Sequence, residues 1–153
     1  MFEIEYQIER IEESNYNLFE DMIFWRETGS EREPVQTSVS SAIVHELANP
    51  NLYVYAVRVE ERFVGWISLV YIPKVGKWKG RGHVYIDELW VEAHYRGRSL
   101  AKALMQKADE LCRDFDAAGI RLYVNMENPA AKGLYENCGF REDGRALFMG
   151  KDS

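Results

Sequence analysis

The chain contains 153 residues, of which 46% are hydrophobic, and its 25 acidic and 19 basic side chains give a formal net charge of −6. This length suits one domain with a single core, so we expect residues 1–153 to form one domain. The acidic balance argues against general nucleic-acid binding, and no apolar run is long enough to span a bilayer. The two cysteines lie in helical patterns and indicate no disulfide framework, which favours a cytoplasmic location.

Hydrophobic periodicity predicts three strands and two helices in the first half of the chain. Residues 2–11 alternate apolar and polar side chains, as a half-buried strand does. Ser14 is suited to cap one helix and Ser38 to start another, with a charged connection over residues 28–34 between them. Two further strands, joined as a hairpin, are predicted at residues 52–59 and 63–71.

The second half begins with a loop over residues 73–82 that contains glycines and four cations. The β-branched and aromatic content of residues 83–91 predicts a strand. Apolar residues then recur with helical spacing from Leu100 to Phe115, and Gly119 is suited to end that helix. The remaining predicted elements are a strand over residues 120–126, a helix from Pro129 capped by Asn128 and ended by Gly139, and terminal strands at Phe140 and residues 146–149.

A short basic turn separates the predicted strand over residues 83–91 from the long amphipathic helix. It contains Arg96, Gly97, Arg98 and Ser99. The first amides of a helix have no internal partner and carry the positive end of the helix dipole. Together with two arginines, they predict a site for a phosphate or pyrophosphate group. The alternative is an ordinary strand–turn–helix with a solvated basic loop.

Three motifs cover roughly residues 83–140. They are Asp87-Glu88-Leu89-Trp90-Val91, Tyr95-Arg96-Gly97-Arg98-Ser99-Leu100-Ala101, and a helix that runs from Asn128 through Tyr135 to Gly139-Phe140. In combination they resemble the GNAT superfamily of acyl-CoA-dependent N-acyltransferases. The resemblance implies an α+β (mixed α/β) fold with a central mixed, mostly antiparallel sheet of six to seven strands and about four flanking helices. It further implies acetyl-CoA as co-substrate and a primary amine as acceptor. The three histidines lack metal-ligand spacing, so no metal site is expected.

The resemblance also implies which residues hold acetyl-CoA. They are the turn residues Arg96, Gly97, Arg98, Ser99, Leu100 and Ala101, the strand segment Leu89, Trp90 and Val91, and Asn128. In the family, the backbone of Leu89 and Val91 would pair with the pantetheine arm along a splayed strand edge. One departure is Ser99, which stands where the family usually has glycine, a residue that lets the backbone approach a pyrophosphate closely. We expect the site to survive, because the serine hydroxyl can itself donate to a phosphate.

Acetyl transfer needs a base for the ammonium and an acid for the leaving thiolate. Asp87 and Glu88 lie where many family members place a carboxylate, but they point to opposite faces of a regular strand unless a bulge intervenes. The choice between them stays open, as does action through a water, and an ordinary solvent-facing carboxylate is the alternative. For the acid, the resemblance favours Tyr135, whose alternative role is packing.

The leading interpretation is therefore an N-acetyltransferase that acts on a small-molecule amine or on a peptide or protein amine. No nucleic-acid or membrane partner is expected, and a homodimer is compatible with the resemblance. Acidic side chains between residues 12 and 33 favour a cationic acceptor. A non-catalytic acyl-CoA-binding or interaction module is the alternative, and the departure at Ser99 is its main support.

Overall fold

A computed structural model describes residues 3–153. The part of the predicted first strand that includes Phe2 lies outside these residues. The described chain contains five strands, β1 (Gln7–Arg10), β2 (Leu52–Val59), β3 (Arg62–Ile72), β4 (His83–Val91) and β5 (Gly119–Leu122). It also contains four α-helices, α1 (Tyr16–Thr28), α2 (Ser41–Leu47), α3 (Leu100–Asp114) and α4 (Pro129–Asn137).

The strands form one sheet in the order β1-β2-β3-β4-β5. The first three pairings are antiparallel, and β4 pairs with β5 in parallel. A parallel pair needs a long crossover, which α3 supplies between β4 and β5. The prediction of a mixed, mostly antiparallel sheet with about four helices is therefore confirmed.

The predicted count of six to seven strands is wrong, because no strand follows Leu122 in the described residues. Phe140 belongs to the turn that closes helix α4 and does not start a strand. Its N–H donates to the Tyr135 carbonyl at 3.1 Å. Residues 146–149 have the composition of a strand but no strand partner, and Leu147, Phe148 and Met149 are 88%, 100% and 82% exposed. Composition favours an extended backbone, but a strand forms only where another strand accepts its hydrogen bonds.

Helix α1 packs against the sheet through a hydrophobic core. Met22 of α1 lies with Ala56, Phe63 and Trp66 of the hairpin strands, and all four are nearly inaccessible to solvent. Phe19 meets the Trp66 ring edge-on, with 5.8 Å between ring centroids. Such aromatic pairs add to the stabilisation from burial alone.

Helix α3 supplies the other large buried surface. Its apolar stripe is buried as the periodicity predicted, and consists of Leu100, Leu104, Met105, Ala108 and Leu111. The helix contacts β2, β3, β4 and β5. Because Leu100 is 2% exposed, the first turn of α3 is fixed against the core immediately beside the basic turn.

The helices that precede the hairpin begin later than predicted. A short 3-10 turn, Glu13–Asn15, separates Ser14 from the start of α1 at Tyr16. Helix α2 is capped by Ser40, whose Oγ accepts from the Ile43 N–H at 3.3 Å, and not by Ser38. Both side chains have the same capping chemistry, so the pattern could not choose between them.

The chain divides into two compact units, one that extends to Tyr123 and one that comprises Val124–Ser153. The first contains the whole sheet with α1, α2 and α3, and the second contains α4. In the described residues, no helix is long and apolar enough to cross a membrane. Nor do three or more metal-binding side chains of residues 3–153 form a group that could hold a metal ion.

Candidate functional site

The basic turn connects the end of β4 to the start of α3. A single 3-10 turn, Ala93–Tyr95, follows β4 and is capped by Glu92, whose carboxylate accepts from the His94 N–H at 2.8 Å. Gly97 and Ser99 then adopt positive φ angles of 74° and 64°. These two left-handed residues turn the chain sharply, so that α3 starts directly after Ser99.

Four predicted cofactor-binding residues of the turn, Arg96, Gly97, Arg98 and Ser99, are exposed. Ser99 makes no side-chain capping bond to α3, and its carbonyl accepts the first helical bond, from the Ala103 N–H at 3.0 Å. The amide groups before Ala103 therefore have no intrahelical partner. The turn presents backbone donors, the positive end of the helix dipole and arginine side chains to an anion.

The Ser99 conformation gives the physical reason for the glycine that is usual in the family. Ser99 has φ 64° and ψ 15°, which lies in the left-handed region. A residue with a Cβ atom is destabilised there by about 1–2 kcal/mol, whereas glycine adopts this region freely. The chain thus retains the turn with a strained serine in place of a relaxed glycine.

Arg96 has a second role that the sequence pattern did not predict. Its Nε donates to the Val91 carbonyl at 2.9 Å, so the side chain folds back onto the last residue of β4. This bond uses one guanidinium nitrogen and leaves the terminal nitrogens available to a phosphate. An arginine that begins five residues after the strand has the reach to do this, but its spacing alone does not indicate a backbone acceptor.

The edge of β4 that faces β5 is open over its second half. β5 pairs only with residues 83–86 of β4, and no strand of residues 3–153 pairs with residues 87–91 on that side. The Glu92 N–H donates to the Val64 carbonyl on β3 at 2.8 Å. Because hydrogen-bonding direction alternates along an antiparallel strand, the N–H and C=O groups of Val91 and Leu89 point to the open edge.

Trp90 differs from its two neighbours. Its cross-strand partner is Trp66, and the two ring centroids lie 5.4 Å apart within the core that contains Met22. The backbone groups of Trp90 point to β3 by the same alternation. Of the three predicted strand residues, Leu89 therefore offers its N–H and carbonyl at the open edge, and Val91 offers its N–H, since its carbonyl accepts from Arg96. Trp90 packs between the strand and α1.

A β-bulge separates the two candidate carboxylates. Ser68 of β3 pairs with Glu88, but the next residue, Leu69, pairs with Ile86, so Asp87 is the additional residue on β4. Both Asp87 and Glu88 are exposed, whereas Ile86 is buried. A regular strand would place two adjacent side chains on opposite faces, and the bulge removes this restriction. Either carboxylate is accessible to a substrate.

The unit Val124–Ser153 contains the other two predicted site residues, Asn128 and Tyr135. Asn128 caps α4: its Oδ1 accepts from the Ala131 N–H at 3.1 Å, and Pro129 begins the helix. The predicted cap is thus confirmed. Because the side-chain oxygen is used, the amide NH2 group is the part of Asn128 that can donate to a ligand.

Tyr135 lies in the last turn of α4 and is held by the helix terminus. The N–H groups of Gly139 and Phe140 donate to the carbonyls of Glu136 and Tyr135, both at 3.1 Å, and Gly139 has φ 93°. This is a Schellman motif, which brings the residue after the glycine against the last helical turn. The Phe140 ring meets the Tyr135 ring edge-on, with centroids 5.9 Å apart. The Gly-Phe pair therefore orients the tyrosine.

Burial raises the pKa values of two tyrosines in these elements. Burial raises the pKa of the Tyr135 phenol above its usual value, so the hydroxyl stays protonated at neutral pH. Burial also raises the pKa of Tyr85, and the Asp87 carboxylate and Tyr123 contribute to that rise. Tyr135 therefore carries its phenol proton at neutral pH.

An ion pair in the segment after α1 was also not predicted. Arg32 Nε donates to Asp21 Oδ1 at 2.9 Å, and Asp21 is 4% exposed. Asp21 is one of the acidic residues that favoured a cationic acceptor from composition. Since it is buried and paired, it ties the connection between α1 and α2 to α1 and offers no charge at the surface.

The sequence was compared with protein-family profiles and with known proteins. The sequence profile described as "Acetyltransferase (GNAT) family" matches residues 13–140. A candidate N-acetyltransferase for the alanine of ribosomal protein bS18, from Bacillus subtilis (strain 168), is 30% identical over 65% of this chain and 62% of its own length. The chain thus spans less than two-thirds of that relative. An uncharacterised N-acetyltransferase of Mycobacterium bovis is 30% identical over 74% of this chain and 69% of its own length.

Solved structures share the fold across nearly the whole chain. An aminoglycoside acetyltransferase, meta-AAC0020 from an uncultured soil metagenomic sample, superposes with a TM-score of 0.78 at 16% identity and covers 97% of this chain and 96% of its own. AAC(6')-Iy in complex with a bisubstrate analogue containing CoA gives a TM-score of 0.76 at 14% identity, over 97% and 99% of the two chains. At these identities the likeness shows the fold. Since the family profile spans most of the sequence and the fold agrees, the chain belongs to the GNAT acetyltransferase family.

Proposed function

We propose that this protein is an N-acetyltransferase that moves the acetyl group of acetyl-CoA to a primary amine by direct attack. The observation that carries the proposal is the junction of β4 and α3. There, an exposed cationic turn with unpaired helix amides directly follows a strand whose edge is open at Leu89 and Val91. The turn suits a pyrophosphate, and the edge suits an extended chain with amide groups, as pantetheine has.

In this proposal, acetyl-CoA is held both by the basic turn and by the open edge of β4. The amides that begin α3 and the arginines Arg96 and Arg98 bind the phosphates, since charge-assisted hydrogen bonds are about twice as strong as neutral ones. The backbone N–H and carbonyl of Leu89 and the N–H of Val91 bind the pantetheine arm. Asn128 adds an amide donor from the start of α4.

The base is Asp87 or Glu88, acting directly or through a water. Support comes from the bulge, because it lies at the two carboxylates and both of them are exposed. A carboxylate takes a proton from the acceptor ammonium and so frees the nitrogen lone pair for attack. The amine nitrogen then forms a bond to the thioester carbonyl carbon, and the C–S bond breaks.

The acid is Tyr135, whose phenol gives its proton to the departing thiolate. The phenol is protonated at neutral pH, as this role requires, although burial raises its pKa and so makes it a weaker acid. The support for the role is the helix end that orients the ring. Phe140 acts as a positioning residue, because its ring packs edge-on against Tyr135 and fixes the direction of the phenol. The nitrogen loses two protons in all: the carboxylate takes one before the attack, and the second leaves the tetrahedral adduct to solvent. One of them returns through solvent to the phenol, and the other is released.

The acceptor is an amine of a small molecule or of a peptide. The relatives support both classes, since one is named for the alanine of a ribosomal protein and another for aminoglycosides. Helices α1 and α2 and the connection between them are the variable part of the family and would form the acceptor side. Asp87 and Glu88, which are exposed, supply negative charge that suits a cationic amine.

We further propose that residues 1–153 work as a single acetyltransferase domain in the cytoplasm, with a homodimer as one assembly to be tested. Support for the single domain is that the family profile runs from residue 13 to residue 140 and so includes parts of both compact units. Size-exclusion chromatography with light scattering measures the assembly.

A panel of amines tests the proposed function. Purified protein is mixed with acetyl-CoA and polyamines, aminoglycosides or peptides with free N-termini, and release of the CoA thiol is followed with a thiol reagent. Amine-dependent release, with the acetylated amine detected by mass spectrometry, is the expected result. Binding of acetyl-CoA without release for any amine would instead favour the non-catalytic module, for which the strained Ser99 is the supporting observation.

A further inference from the structure

The β3–β4 loop, residues 73–82, combines exposed apolar and cationic side chains. Val75 is 98% exposed and Trp78 is 48% exposed, and Ile72 at the end of β3 is 40% exposed. Three large apolar residues within seven positions exceed the single scattered residues that a protein surface ordinarily shows. Apolar side chains at a loop tip contribute nothing to a core, so they favour contact with something outside this chain.

The loop is also the most cationic segment of an acidic chain. Residues 73–82 contain Lys74, Lys77, Lys79 and Arg81 and no acidic residue, whereas the whole chain has a net charge of −6. Arg81 is engaged, because its guanidinium pairs with Asp116 at 3.2 Å and donates to the Ala117 carbonyl at 2.9 Å. None of the three lysines forms an ion pair within residues 3–153.

Two of these lysines, Lys74 and Lys77, act on the same buried group. His83, which begins β4 beneath the loop, is buried. Its pKa lies below the usual value because of burial and because of the charges of Arg121, Lys74 and Lys77. Lys74 and Lys77 therefore lie in one neighbourhood, where an anion would be attracted to both charges.

The loop backbone holds the aromatic ring in a defined place. Trp78 and Lys79 have positive φ angles of 57° and 58°, between two glycines that are also left-handed. Trp78 meets the His83 ring edge-on with centroids 5.7 Å apart. Side chains in this backbone region carry strain, which commonly persists at binding sites.

We propose that the β3–β4 loop is a peripheral docking surface for a membrane rich in anionic lipids. Val75 and Trp78 enter the boundary between headgroups and acyl chains, where tryptophan is enriched. Lys74, Lys77 and Lys79 lay their apolar stems along that boundary and place their charges at the anionic headgroups. Each lysine near such a surface strengthens binding about fivefold.

The apolar residues favour a lipid surface over a nucleic acid. An indole between lysines would also suit a stacked base, but Ile72 and Val75 would stay in water on a single-stranded nucleic acid. The proposal departs from the expectation, made from the sequence, that the protein has no membrane partner. Peripheral contact with a membrane needs no segment that spans it. The anionic cytoplasmic leaflet is the surface that a cytoplasmic protein would meet.

Docking there leaves the acetyl-transfer site accessible. The loop precedes His83 and the basic turn follows Val91, so the nine residues of β4 separate them. At the usual rise of a strand, this is roughly 26 Å. The inference therefore does not depend on the proposed function, and vesicle binding can be measured without an acceptor.

The test is co-sedimentation of the full chain with sucrose-loaded vesicles of phosphatidylcholine alone or with 30 mol% phosphatidylserine (about one lipid in three, enough to give an anionic surface potential). We expect binding only to the anionic vesicles, and loss of most of it at high salt. The double variant Lys74→Gln/Lys77→Gln should bind about 25-fold more weakly. The control Lys132→Gln/Lys151→Gln has the same net charge as the Lys74→Gln/Lys77→Gln variant, and it should bind as the parent does.

A second pair of variants tests insertion. Val75→Ser and Trp78→Ser should each weaken binding to anionic vesicles, and the tryptophan emission of the parent should shift to the blue on binding. The proposal is overturned by equal binding to both vesicle types, by binding that Val75→Ser and Trp78→Ser leave unchanged, or by no binding. Tight binding to a single-stranded RNA oligonucleotide at the same salt, without vesicle binding, would assign the loop to nucleic acid instead.

Discussion

The two helix ends that carry the proposed site each place a residue in the left-handed backbone region, and they fill it differently. Gly139 follows α4 with φ 93° and closes a Schellman motif, whereas Ser99 precedes α3 with φ 64° and carries a side chain there. Glycine at the first position is the relaxed choice, and serine at the second is strained. The turn at the end of α4 is thus free of backbone strain. The turn at the start of α3 has the same left-handed conformation but carries the strain of a serine side chain.

The two ends serve different parts of the proposed reaction. The end of α4 orients Tyr135, on which departure of the thiolate depends. The start of α3 presents the donors for the phosphates, on which binding depends. Changes at the first end should therefore reduce turnover, and changes at the second should reduce affinity for acetyl-CoA.

The largest effect is expected for Tyr135→Phe. The change removes the phenol proton but keeps the ring that packs on Phe140, so it should lower kcat and kcat/KM together. General acid assistance is worth about 10²–10⁴-fold, and we expect a loss of at least about tenfold even if water partly substitutes. Steady-state kinetics with the identified acceptor measures it.

Tyr123→Phe is the matched control, because Tyr123 is 77% exposed and its hydroxyl has no part in the proposal. It should behave as the parent does. Full activity of Tyr135→Phe would make Tyr135 a packing residue. A loss of acetyl-CoA affinity and of thermal stability along with rate would make its hydroxyl structural.

The next largest effect is expected for Arg96→Ala and Arg98→Ala. A charge-assisted contact to phosphate is worth about 1.5–3 kcal/mol, so acetyl-CoA affinity should fall roughly 10- to 150-fold in calorimetry. Arg113→Ala, which removes an exposed charge from the far end of α3, should leave affinity unchanged. Unchanged affinity in both turn variants would exclude the proposed phosphate site.

Gly139→Ala tests the relaxed end of the comparison. A Cβ at this position would meet no atom within 4 Å, so the cost is conformational and should lower the free energy of unfolding by about 1–2 kcal/mol. Turnover should fall more than acetyl-CoA affinity, since Tyr135 loses its orientation. Chemical denaturation and kinetics measure the two effects.

Gly133→Ala is the control within the same helix. Gly133 also has open space around it but has no positive φ. Alanine there should raise stability by up to about 1 kcal/mol, because glycine is a poor residue for a helix interior. If both alanine variants had the same effect, the left-handed geometry of Gly139 would not matter.

The smallest effect is expected for Ser99→Gly. Relief of the left-handed serine should raise the free energy of unfolding by about 0.5–1 kcal/mol, after the greater chain entropy of glycine is subtracted. Affinity for acetyl-CoA should hold or improve. Ser99→Ala keeps the strain and removes the hydroxyl, so a large loss of affinity in both variants would show that the hydroxyl binds phosphate.

Much of the fold and the junction at β4 could be predicted from the sequence. The apolar stripe of α3 follows from helical periodicity, and the strand over residues 83–91 follows from its β-branched and aromatic content. The Asn128 cap follows from local chemistry between neighbours in the chain. These features are set within a few residues, and patterns of that length record them.

Features that depend on distant partners could not be predicted. The prediction of a strand over residues 146–149 was wrong because these residues have no strand to pair with. Their composition does not indicate whether such a partner exists. The bulge at Asp87 arises from the register of β4 against β3, and the bond from Arg96 to Val91 depends on how the turn folds back. The assignments of base, acid and cofactor contacts remain predictions.

The bond between Arg96 and Val91 has a consequence for solubility. An unpaired strand edge is a template on which another chain can add a strand and start aggregation. Arg96 Nε already occupies the Val91 carbonyl, so it blocks one of the acceptors on the open half of β4 and places a charge beside it. The side chain that suits phosphate binding therefore also protects the strand while no cofactor covers it. Loss of Arg96 should make the cofactor-free protein more prone to aggregate than loss of Arg98.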